Sequence, residues 1–152
     1  VENTFWKEFK TEYYEEYFST HREFHGELQK FGEVKQITLL TIYNSQSNLH
    51  TDHTTGLNSG VNVRLNLPIL NCEESLTCFY DIPEEYKDKY QMTPGGTKYW
   101  DSNLIKKIQP VSSFQLSEPT LIRTSFPHIV FCLKVPRIAM TISFQEDPVL
   151  DS

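Results

Sequence analysis

The stretch NLHTDHTTG sets His50 and Asp52 two positions apart in a polar loop, just ahead of a segment that alternates apolar and polar residues. In extended backbone that spacing aims an imidazole and a carboxylate at one point while Thr51 points away. Two donors hold a metal weakly, so a third must come from elsewhere. His128 is the candidate, because Pro127 fixes the approach to it and FPHIVFCL opens a run with strand character at that residue. Two imidazoles and one carboxylate on one face of a metal leave the other positions open, an arrangement that suits non-haem Fe(II) acting on oxygen. His53 could replace His50 as a ligand; otherwise it stands beside the ligands or in solvent.

Nine residues beyond His128 comes Arg137, whose permanent charge and planar fork suit bidentate capture of a carboxylate. Alternation in RIAMTISF sends Arg137, Ala139, Thr141 and Ser143 to one face and Ile138, Met140, Ile142 and Phe144 to the other. The face with the arginine carries only small or hydroxyl side chains beside it, which leaves room for a bound acid. A second polar stripe, Asn62, Arg64 and Asn66 opposite Val61, Val63, Leu65 and Leu67, is either the solvent face of a sheet or the lining of a ligand pocket.

These side chains need a scaffold. After Gly32 the chain breaks into short segments rich in β-branched and aromatic residues, namely QITLLTIY, VNVRLNLPIL, SLTCFYDI, TLIRTSF, HIVFCL and RIAMTISF, separated by turn formers. Between Pro83 and Pro119 the signal weakens, with TPGGTKYW reading as a turn into a short strand and LIKKIQPVSSFQL as one strand or two. Ahead of them Phe5, Phe9, Tyr13 and Tyr17 form the i, i+4 stripe of an amphipathic helix over Phe5 to Phe18. Thr20 and Glu23 offer a capping box for a second short helix that Gly32 stops. The expectation is a single domain, mainly β with N-terminal helices, folded as a jelly roll: helices over 1–32 packed on a sheet, a β core over 33–146 and a tail over 147–152.

Composition narrows the classes of function. Aromatics at 13% of 152 residues, with ten Phe, eight Tyr and two Trp, supply far too much apolar mass for a disordered segment. A formal charge of -6 repels phosphate backbones and anionic lipid, so nucleic acid is a disfavoured partner. Three cysteines without CxxC spacing indicate neither a disulfide framework nor a zinc ribbon; Cys72, Cys78 and Cys132 are expected as buried free thiols in a reducing compartment. No apolar run approaches the ~18 residues of a membrane span, and the expected location is cytoplasmic. His21 and His25 share a helix face but lack the glutamate placement of a zinc-protease motif, so a surface pair is expected. Tyr43 and Tyr80 end apolar strands and are expected to pack in the core, and Arg123 to lie at the surface.

His-x-Asp at His50 to Asp52, the distant His128 and Arg137 soon after it resemble, in order and spacing, the Fe(II)/2-oxoglutarate-dependent oxygenases. That superfamily is built on a double-stranded β-helix. The resemblance implies that His50, Asp52 and His128 bind Fe(II), that 2-oxoglutarate chelates it, and that the far carboxylate of 2-oxoglutarate pairs with Arg137. It implies hydroxylation of an unidentified small molecule or peptidyl side chain, with release of succinate and CO2. Many members carry a hydroxyl residue two positions after the arginine, where this chain has Ala139; a second contact to the acid then falls to Thr141, Tyr43 or another group, with Asn66 among the residues lining the cosubstrate. Two other readings use the same residues: a cupin-like metalloenzyme working without 2-oxoglutarate, and a non-catalytic jelly-roll protein.

Overall fold

The computed structural model describes residues 4–8, 11–52 and 60–149. Eleven strands form two antiparallel sheets. The first contains β1 (Thr4–Glu8), β2 (Val34–Ile42), β4 (Val63–Leu70), β9 (Thr120–Arg123) and β11 (Arg137–Phe144), in the order β1-β2-β11-β4-β9. The second contains β3 (Leu49–His50), β5 (Ser75–Phe79), β6 (Gln91–Met92), β7 (Lys98–Trp100), β8 (Ser112–Phe114) and β10 (His128–Cys132), in the order β6-β7-β3-β10-β5-β8. Removing β1 and the β6-β7 hairpin leaves two four-stranded sheets whose strands alternate between sheets along the chain except at β5 and β8, which follow one another in the second sheet, the eight-strand jelly roll. The architecture expected from sequence is therefore the one observed.

The helical region departs from expectation. The aromatic stripe predicted one helix from Phe5 to Phe18, but Thr4–Glu8 is a strand paired antiparallel with Thr38–Ile42 of β2, and the helix α1 runs over Thr11–Thr20. Pairing with an otherwise open edge of β2 outweighs helical periodicity in this aromatic, β-prone stretch. Thr20 does not cap the second helix, α2 (Arg22–Gln29); it is the last residue of α1 and its hydroxyl donates to Tyr17 O, while His21 stands at the N-cap without a side-chain cap. Gly32 does stop the helical region, at φ 135, a conformation that costs glycine little. The stretch 83–119 resolves into the β6-β7 hairpin, a 3-10 turn over Ser102–Lys106, and β8. The expected tail is anchored at its start, because the Asp147 carboxylate accepts from the backbone N–H groups of Asn62 and Val63.

Apolar mass lies mainly outside the sandwich. On the first sheet Ile37, Leu65, Ile142 and Phe144 pack against Phe18 and Leu28 of the two helices. On the second, Leu49, Cys78, Ile129 and Trp100 pack under Tyr80, Ile82 and Leu104 from the insertion between β5 and β8. With both outer faces covered, the inward face of each strand is released from making the main core. That face carries Arg64 and Arg137 from the first sheet and His128 from the second, all buried. Ile142→Ala, at a fully buried position in the helix-covered cluster, is expected to cost about 2–5 kcal/mol in urea unfolding. Leu133→Ala, 93% exposed, is expected to fall within roughly 0.5 kcal/mol of the parent.

Candidate metal centre

Three strand ends bring the ligand set together. His50 ends β3 and His128 begins β10, and the two are direct antiparallel partners in the second sheet. Asp52 follows two residues after His50, its backbone N–H donating to Thr124 O just beyond β9, so it stands where the two sheets meet. The imidazole rings lie 4.5 Å apart, centre to centre. Asp52 Oδ1 is 3.4 Å from His50 Nε2 and 3.2 Å from His128 Nε2. One donor atom from each residue lies within 4.8 Å of the others.

Each imidazole has its tautomer set by the same local device. His50 Nδ1 lies 2.6 Å from Asn48 O and His128 Nδ1 lies 2.7 Å from Phe126 O. A carbonyl only accepts, so each Nδ1 carries the hydrogen and donates it to the carbonyl two residues earlier. Both Nε2 atoms then face the same anionic carboxylate oxygen, where the lone pairs repel until a proton or a metal cation enters between them. Backbone-oriented imidazoles of this kind are the usual support of metal-ligating histidines, and the residues fit a divalent ion.

The other carboxylate oxygen is already engaged. Arg64 Nη1 donates to Asp52 Oδ2 at 2.7 Å and to Thr124 Oγ1 at 3.1 Å. Burial acts to raise the Asp52 pKa, but hydrogen bonds from His128 and His50, with the nearby charges of His128 and Arg64, hold it well below the usual carboxylate range. Burial likewise acts to lower the pKa of His50, yet the Asp52 hydrogen bond and charge, with the Asn48 carbonyl, leave it raised. Asp52 thus remains ionised at neutral pH, and His50 holds its proton somewhat longer than a free imidazole.

The other residues picked from sequence divide clearly. Arg137 is 2% exposed and its Nε donates to Ser75 Oγ at 3.2 Å; among the described residues no carboxylate pairs with it. It shares the inward face of β11 with Ala139, Thr141 and Ser143, as alternation predicts. Thr141 is the direct partner of Asn66 on β4, and Thr141 Oγ1 and Asn66 Oδ1 are both buried and unpartnered. Tyr43, by contrast, is 52% exposed just beyond β2, so it does not take the core position expected of it. Tyr80 is buried in the outer cluster, Arg123 and His21 are exposed, and all three cysteines are buried and free. His53 lies outside the described residues.

Sequence reasoning left Arg64 undecided between a solvent face and a pocket lining; it is 6% exposed and bonded to a ligand. Its parity with Asn66 was visible, but which side of β4 faced inward was not. Ser75 and Gln36, both buried with inward strand parity, carried no signal at all, since Ser75 meets Arg137 only through strands distant in sequence and Gln36 is buried only once the sheets pack.

Comparisons with known proteins give only weak structural likenesses. No family model and no curated protein sequence matches the chain. The X-ray structure of E. coli ycfD is similar over 77% of this chain and 27% of that one, with 9% identity and a TM-score of 0.46. A point mutant of Bacillus subtilis oxalate decarboxylase OxdC is similar over 80% of this chain and 24% of that one, with 11% identity and a TM-score of 0.37. This chain therefore spans about a quarter of the length of either, and similarity at this level assigns no activity. Among the described residues no helix is long and apolar enough to cross a membrane.

Below the raised pKa of His50, metal binding must displace the proton from its Nε2. Co(II) affinity, followed by isothermal titration calorimetry, is expected to fall as pH drops through the raised pKa of His50, by about tenfold per pH unit for each proton displaced. Asp52, already ionised, contributes none of this slope. His128→Ala should abolish stoichiometric binding.

Proposed function

We propose that the chain is a metal-dependent oxygenase in which His50, Asp52 and His128 hold Fe(II) and 2-oxoglutarate is the cosubstrate. The observation that carries the cosubstrate is Arg137, a guanidinium buried in the same inter-sheet space as the triad without a carboxylate partner among the described residues. Burial pushes its pKa down, but an arginine stays charged under any physiological condition. An unpaired buried charge is among the costliest features a fold can hold, and an acid bound there relieves it.

Position and charge support the same assignment. The Cα partner of Cys132 is Ser75, whose hydroxyl accepts from Arg137, so the arginine lies at the Cys132 end of β10 and the metal ligands at the His128 end. Four strand residues separate these ends by about 13 Å, and side chains reach inward from both. Between them Ile42, Val130 and Cys132 form an apolar strip suited to two methylene groups. Among the described residues a dication with Arg64 and Arg137, against Asp52, would leave the space between the sheets strongly positive. A dicarboxylate offsets that charge at both ends.

The bound metal would supply the Lewis acidity and redox chemistry that join 2-oxoglutarate decarboxylation to attack on a substrate C–H bond. This chain's residues do the rest. Asn48 O and Phe126 O fix the imidazole tautomers, Arg64 holds Asp52 by its outer oxygen, and Arg137 orients the cosubstrate by its distal carboxylate. Ala139 offers that carboxylate no hydroxyl, so Thr141 is the nearest hydroxyl on the same strand face. A second reading, a metalloenzyme of the same architecture that does not use 2-oxoglutarate, is favoured by the Ser75 hydroxyl, which gives Arg137 one partner within the protein.

Anaerobic Fe(II) addition separates the two. Under the main reading, 2-oxoglutarate produces a visible metal-to-ligand charge-transfer band and aerobic incubation yields succinate. Arg137→Met is expected to keep metal affinity, weaken 2-oxoglutarate roughly 10- to 150-fold as a charged hydrogen-bonding partner is lost, and raise the melting temperature of the ligand-free protein by removing a buried charge. Fe(II) binding with no spectral or catalytic response to 2-oxoglutarate would assign the second reading.

A further inference from the structure

Three polar atoms on the inward face of the first sheet are buried with no hydrogen-bond partner among the described residues: Gln36 Oε1, Asn66 Oδ1 and Thr141 Oγ1. They are neighbours. Asn66 and Thr141 are direct partners across β4 and β11, and Gln36 is the partner of Ser143, which sets it diagonally from Thr141 at about 7–8 Å between backbones. Alternation gives them the parity of Arg64 and Arg137 and the opposite parity to Ile37, Leu65 and Ile142, which pack on the helices. They therefore point into the space between the sheets. Gln36 is 7% exposed as a whole residue, so bulk water does not relieve it.

Native folds seldom leave buried polar atoms unpaired, because each costs stability that a bound group restores. The missing partner can be read from the donors and acceptors. Two amide carbonyl oxygens accept, and the threonine hydroxyl has a hydrogen to donate. Their complement is a group with two N–H donors and one carbonyl acceptor. In the amide orientations seen here a carboxylate would set its lone pairs against those of Gln36 and Asn66, and it would gain donors only if both amides turned over. An ammonium group offers no acceptor to Thr141 and enters a space that already holds Arg64 and Arg137.

We infer that this wall is the prime-substrate subsite and that it takes a neutral substrate bearing a carboxamide. The inference rests on the reading of the His50, Asp52 and His128 cluster as a metal centre, and it deepens that reading by naming the substrate class. It also reassigns Asn66 and Thr141 from the cosubstrate to the substrate: the unpaired carbonyl of Asn66 suits an N–H donor, whereas 2-oxoglutarate, held by Arg137 along the apolar strip of Ile42, Val130 and Cys132, presents only acceptors, and the Thr141 hydroxyl beside Asn66 serves the substrate carbonyl.

Side-chain NH2 resonances of Gln36 and Asn66 in the Zn(II)-loaded protein report occupancy without turnover, with acetamide, acetate and methylammonium as matched probes. Acetamide is expected to shift both resonances saturably and the other two to leave them in place. Gln36→Met and Asn66→Leu should each weaken acetamide roughly fivefold, the effect of one lost hydrogen bond, and should hold or raise the melting temperature of the ligand-free protein, which a purely structural role would lower. The inference is overturned if acetate or methylammonium shifts these resonances as strongly, if no probe moves them, or if the variants lower stability while acetamide binds as before. Each titration is repeated with 2-oxoglutarate present. A metal site that ignores 2-oxoglutarate counts against the cosubstrate alone and leaves the carboxamide result standing.

Discussion

The carboxylate of Asp52 is the joint on which the site depends. One oxygen faces two imidazole nitrogens of the second sheet and the other is held by Arg64 of the first. Its backbone N–H is tied to Thr124 O, so neither end of the residue swings freely. Such a carboxylate can meet a metal through one oxygen only. That restriction would leave positions open on a bound ion, and it ties the geometry of the cluster to the spacing of the two sheets.

The sandwich pays for this arrangement by moving its core outward. A jelly roll that buried its apolar residues between the sheets would have no room for two arginines, two histidines and a row of unpaired amide and hydroxyl groups. Here Phe18 and Leu28 cover one outer face and Tyr80, Ile82 and Leu104 the other. Burial energy is thus collected on both outsides, and the interior is free to hold groups that are costly to bury. The helices and the insertion between β5 and β8 lie outside the eight-strand core, yet they are what makes a polar interior tolerable.

Much of this was legible beforehand, and the reasons are local. Strand alternation has a period of two whatever the surroundings, so the face shared by Arg137, Ala139, Thr141 and Ser143 followed from residue order. The His-x-Asp pair depends on two adjacent peptide units, and the proline before His128 marks a strand start. Periodicity failed over Thr4–Glu8 because an aromatic stripe at i, i+4 also makes a good edge strand, and only the open side of β2 decides between them. The proposed cap at Thr20 failed for a similar reason: a hydroxyl that can bond back to Tyr17 O is as content ending one helix as starting the next.

What residue order determined by itself was the six strands β2, β4, β5, β9, β10 and β11, the two faces of each, and the donor atoms able to meet a cation. Tertiary structure decided which face looked inward. Alternation is symmetric about the sheet, so the sequence of β4 reads equally well with Arg64 in solvent or against Asp52; the helices packed on Leu65 and Ile142 break that symmetry. The same choice buried Gln36, joined Ser75 to Arg137 across 62 residues of chain and left Tyr43 outside. Those are contacts between distant strands, set by packing energy summed over the whole sandwich, and no local pattern encodes them.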